Sequence, residues 1–113
     1  MTNSIDTTPR FYSIDDVRVH YLRNNRGGHW FSENSTRYFK TRYSDAIYIT
    51  PGDTSTVYFV TSERNGYAYN APRAYSVRVY DVATASVTTF GTFGAHNTLA
   101  QAKSAARVAT GAK

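Results

Sequence analysis

The chain has no cysteine, three prolines, three histidines and a single tryptophan among its 113 residues. Without cysteine there is no disulfide, no thiol nucleophile and no thiolate metal site, which suits a reducing compartment. No apolar run approaches the ~20 residues of a membrane-spanning helix. The opening stretch MTNSIDTTPR is polar and lacks the apolar segment of a signal sequence. It reads as a tail over residues 1–10, broken at Thr8-Pro9, ahead of a single domain over 11–110. The histidines, His20, His29 and His96, show no helical metal spacing, and no carboxylate cluster joins them. Neither metal nor cofactor is therefore expected. Gly27-Gly28 precede no phosphate-loop lysine, and Ser32, His29 and Asp45 lack a nucleophile elbow. With no catalytic residue to name, the expectation is a protein that is not an enzyme. Helix-turn-helix, RNP and zinc-finger patterns are absent too.

What is present is basic and aromatic. Thirteen Lys and Arg face eight Asp and Glu, for a net charge of +5, and ten of the thirteen are arginine. Arginine forks onto carboxylates and phosphates and stacks on rings. Ten tyrosines and six phenylalanines accompany the tryptophan. Tyrosine suits half-buried strands as well as interfaces, so the composition fits an ordinary basic β-rich domain and also a binder of nucleic acid.

The order of elements follows from periodicity. Ser13 is a good N-cap, and Asp15 and Asp16 sit in the first turn, where the helix dipole favours negative charge. Ile14, Val17 and Tyr21, with Leu22 beside them, make an apolar stripe, so a helix is expected over 13–25. Gly27-Gly28 supply its left-handed stop. Trp30 and Phe31 then plug the corner between helix and sheet. From Thr36 the period changes to that of a strand. Ser44-Asp45 marks either a bulge in one long strand running to Thr50 or a break between two. Pro51-Gly52-Asp53 is a turn. Further strands are expected over 56–62, 74–81 and 86–90, joined by links short enough for antiparallel neighbours. Gly91 and Gly94 end the sheet. Thr98 and Gln101 stand in capping-box register for a last helix that buries Leu99, Ala102, Ala106 and Ala109. The fold class is α+β: an N-terminal helix, a roughly four-stranded antiparallel meander and a C-terminal helix. Both helices are expected on one face of the sheet.

Several blocks recur in a familiar order. Gly28-His-Trp-Phe-Ser32, Thr36-Arg-Tyr-Phe-Lys-Thr-Arg42, Val57-Tyr-Phe-Val-Thr-Ser-Glu63 and Arg73-Ala-Tyr-Ser-Val-Arg78 resemble a family of small proteins encoded by bacteriophages and plasmids. Its pattern reads G-x-H-W-F-S, then T-x-R-F-F-x-S-R, Y-F-V-T-S-E and R-x-Y-T-V-R. The segment Ser32–Thr36 is one residue longer than the family's turn. The resemblance implies a mobile-element accessory protein in a bacterial cytoplasm and implies no activity.

The candidate site is a sheet face. Alternation sets Lys40 and Arg42 on one side of the first strand and Arg37 on the other. Arg78 and Tyr80 oppose Tyr75, Val77 and Val79, so they are expected to face solvent. Lys40, Arg42, Arg78 and Tyr80 then form an Arg/Tyr-rich surface for a partner. Asp45, Glu63 and Asp81 are the counter-charges if that face is merely solvated. The leading expectation is a non-catalytic module that engages a host or phage protein complex. The alternative is sequence-tolerant binding of nucleic acid. Should this face carry no partner, the loop from Arg64 to Arg73 is the next place to look.

Overall fold

A computed structural model describes residues 11–25, 30–31, 41–64 and 73–111 of the chain. Helix α1 spans Ile14–Asn24 and starts where the caps place it. The Asp16 carboxylate accepts from the backbone N–H of Tyr12 at 2.7 Å and of Ser13 at 3.2 Å. Those two donors would otherwise be orphaned at the helix start. Ile14, Val17 and Tyr21 are buried as expected, while Leu22 points outward. Asn25 closes the helix. Its N–H donates to the Tyr21 carbonyl, and its side chain donates to the Ala85 carbonyl at 2.7 Å. Gly27 and Gly28, expected to form the stop, lie outside the described residues.

Strands β1 (Arg42–Tyr48), β2 (Thr56–Arg64), β3 (Arg73–Asp81) and β4 (Ser86–Phe90) form one antiparallel sheet in the order β1-β2-β3-β4. Tyr43 pairs with Thr61 and Ile47 with Phe59, so β1 carries extra residues between them. The interruption at Ser44-Asp45 is thus a bulge within one strand. The turn to β2 has Pro51 and then Gly52 at φ +82°, with Asp53 N–H bonded to the Thr50 carbonyl. That is the residue order a type II turn requires. After β4, residues 91–95 leave the ladder, and His96 rejoins it against Tyr75. Gly91 and Gly94, both at positive φ, permit this excursion. Helix α2, Leu99–Thr110, follows, with the Thr98 hydroxyl accepting from Gln101 N–H and Gly111 as its left-handed cap.

The helices lie on opposite faces of the sheet, which corrects the expectation of a shared face. On one face α1 brings Ile14, Val17 and Tyr21 against Val57, Phe59 and Tyr80. On the other, Ala102 and Ala106 of α2 lie on Tyr48, Val60 and Val77. The small side chains let α2 approach closely, as expected, but Leu99 at its first turn is left partly exposed. A sheet covered on both sides needs apolar residues in both phases of its strands. Val57 and Phe59 in one phase of β2, with Val60 in the other, supply them. Trp30 and Phe31 pack into the α1 layer. Phe31 stacks on Tyr43 at 4.9 Å between centroids, and the backbone N–H of Trp30 donates to the Tyr21 hydroxyl. Among the described residues, no helix is long and apolar enough to cross a membrane.

Candidate anion-binding site

Three of the four residues expected on one contact surface are described, and those three do not share one. Lys40 lies outside the described residues, as does Arg37. Arg42 is exposed at the start of β1. Arg78 and Tyr80 are 5% and 0% exposed, so both are core residues rather than surface. The reason is α1. It covers the face that strand alternation alone leaves wet, and the 91–95 excursion closes the end of that face.

Arg78 shows how such a core admits a cation. Its guanidinium sits 4.8 Å from the Trp30 ring centroid and 5.0 Å from that of Phe93. It donates to the hydroxyls of Thr61 and Thr89 and pairs with the Glu63 carboxylate at 3.4 Å. Burial pushes its pKa down, and Glu63 opposes that shift. With each guanidinium nitrogen hydrogen-bonded and its charge matched, Arg78 is a structural residue. Tyr80 lies among Phe11, His20 and Tyr21. Burial, then Tyr21 and Asp81, push its hydroxyl up to about 12.

The Tyr80 hydroxyl meets Nδ1 of His20 at 2.5 Å. Burial lowers the His20 pKa below its ordinary 6.5. The unfolded chain therefore takes up this proton more readily than the folded one. His20 favours the fold fully above pH 6.5, and that contribution is lost as pH falls through its lower folded value. Urea midpoints should drop between pH 7.5 and pH 5, and His20→Gln should flatten that dependence. An unchanged profile in the variant would assign the acid sensitivity to other groups.

Exposed positive charge gathers instead at one end of the α2 face. Arg42 pairs with Ser62, and Ser62 with Tyr75, while Arg64 stands directly opposite Arg73. Residues 60, 62 and 64 share a phase of β2, so these arginines lie on the side where Val60 meets α2, beyond the helix's cover. Arg42, Arg64 and Arg73, with Thr41, line an open hollow of about 350 Å³. Arg73 is held in place by Ser62, donating to its hydroxyl at 2.9 Å and to its carbonyl at 2.8 Å. Its pKa is lowered first by burial, then by the positive charge of Arg42, with Arg64 adding to that and Tyr75 and Glu63 opposing. Like charges directly opposed across strands repel, and Glu63 partly offsets that for Arg73.

Sequence reasoning picks out Arg42 directly, and Arg64 and Arg73 only as the ends of the loop named as the next place to look. Their signal was strand parity: Arg64 shares a phase with Val60 and Ser62, and Arg73 with Tyr75 and Val77. Among the described residues, no group of three His, Cys, Asp or Glu side chains is placed to hold a metal ion.

Comparison of the chain with curated proteins and with solved structures finds no match. A family model does match, over residues 13–107, which takes in both helices, apart from the end of α2, and all four strands, and the chain thereby belongs to a family of unknown function, DUF7447.

Proposed function

We propose that this protein is a non-catalytic binding module that holds the phosphate backbone of nucleic acid on the arginine-bearing end of its sheet. The observation that carries this is the convergence of Arg42, Arg64 and Arg73 on one hollow. Phosphate contacts of this kind need cations at a spacing set by rigid elements, and three adjacent strands provide that. Part of the aromatic content that in the sequence favours a protein interface is drawn inward: among the described residues, Tyr21, Tyr48 and Tyr80 are buried. The net charge of +5 supports the same choice. The resemblance to phage- and plasmid-encoded proteins adds an accessory role for a mobile element, in a bacterial cytoplasm, to this reading.

Engagement of a protein complex is the second reading. It is favoured by Tyr75 and Leu99 beside the arginines, an interface-type mixture.

Binding of labelled DNA and RNA across a salt series separates the two. The triple variant Arg42→Gln, Arg64→Gln, Arg73→Gln should weaken binding and flatten the logarithmic salt slope by about two units for single strands. Its melting temperature verifies that the fold is kept. A folded variant that binds nucleic acid like the parent would move the site elsewhere. Parent protein that ignores nucleic acid but retains a protein from lysate, with little salt dependence, would favour the second reading.

A further inference from the structure

A second hollow adjoins the arginine-lined one and shares Arg42 and Arg73 with it. Its volume is about 180 Å³. Tyr75, Val60 and Leu99 give it apolar walls, and Ser44 and Ser62 bring hydroxyls. We infer that this slot receives one unstacked base of a single-stranded nucleic acid while the neighbouring arginines hold its phosphates. The inference rests on the nucleic-acid reading above and narrows it to single strands.

The chemistry of the two hollows differs in the way the two parts of a nucleotide differ. One is lined by guanidinium groups and a hydroxyl. The other is aromatic and aliphatic with a polar rim, the environment that splayed bases occupy. Arg42, Arg64 and Arg73 stand on three neighbouring strands, a span of about 10 Å from strand spacing. That span places cations along a short run of backbone, with the slot beside it. The slot is also firm. Tyr75 is tied by two backbone hydrogen bonds to His96, and Arg73 is held by Ser62. Walls already fixed lose little freedom when a ligand enters. The amino end of α2, where Leu99 sits, adds positive potential at the rim. A base inside a duplex cannot reach such a slot without first leaving its stack, which costs energy that a single strand does not face.

Fluorescence anisotropy with three short probes tests this. They are a mixed-sequence single strand, its duplex, and a single strand with several nucleotides made abasic, which keeps its phosphates. The full single strand should bind about tenfold more tightly than the other two. Tyr75→Ala should remove that advantage and leave affinity for the abasic strand unchanged. Because Tyr75 also packs against the α2 layer, Leu99→Ser at the partly exposed first turn of α2 is the second variant. It should reduce the advantage with the fold intact. Equal affinity for all three probes would overturn the base slot and leave the phosphate reading standing. An advantage that survives both folded variants would also overturn it. Binding to none of the probes would overturn the nucleic-acid reading and this inference with it.

Discussion

Glu63→Ala should lower the unfolding free energy by about 3–5 kcal/mol, a large share of what a domain of this size possesses. The change strands the Arg78 guanidinium. In the parent the two charged side chains are each only 6% exposed. Removing the carboxylate leaves a cation between Trp30 and Phe93 with two threonine hydroxyls and, among the described residues, no carboxylate paired with it. Glu63→Gln keeps an acceptor and should cost less, about 1–3 kcal/mol. The double variant Glu63→Leu, Arg78→Met should recover most of the loss, because a well-packed apolar pair matches a buried ion pair in stability. Urea unfolding followed by Trp30 fluorescence measures all three. A Glu63→Ala protein as stable as its parent would mean that Arg78 reaches solvent.

The same ion pair shows where the sequence was legible and where it was not. Element order, strand bounds and the meander follow from local signals: the Ser13 and Thr98 caps, the Pro51-Gly52 turn, and the alternation of Val57 to Glu63 and of Tyr75 to Tyr80. Those signals act over a few residues, and the structure keeps them. Which face of the sheet each helix covers depends on where the chain passes between elements, and no local signal encodes that. An alternation with Arg78 in one phase then looks half-wet. Its complement was present, since Glu63 falls in the same phase of β2 as Val57 and Phe59. A lone acid and a lone base on facing strands of one apolar layer mark a buried pair. The candidate site was half legible for a similar reason. Arg42 stood out because it sits in a basic run, whereas Arg64 and Arg73 lie nine positions apart and meet only through the β2–β3 register.

Tyr80→Ala should cost about 3–5 kcal/mol, the range for truncating a large aromatic in a packed core. Tyr80 is fully buried on the α1 face, directly across from Val57. Its ring meets Phe11 at 6.3 Å, His20 at 5.6 Å and Tyr21 at 6.3 Å between centroids. Truncation to the β-carbon opens a void under α1 that these rings cannot all move to fill. Tyr80→Phe keeps the ring and removes only the hydroxyl that meets His20. It should cost about 1 kcal/mol, the net worth of one hydrogen bond. The pair of variants separates core from contact surface. A core residue gives a large loss of stability in Tyr80→Ala, a small one in Tyr80→Phe, and parental affinity for nucleic acid in Tyr80→Phe. A surface residue would leave both melting transitions near that of the parent and change affinity instead, and that outcome would restore Tyr80 to the binding face. Because α1 reaches the sheet through this ring, the loss in Tyr80→Ala should spread to the Trp30 corner, which Tyr21 holds through its hydroxyl. A red shift of the Trp30 emission relative to the parent in the folded variant, before any denaturant is added, would report that loosening.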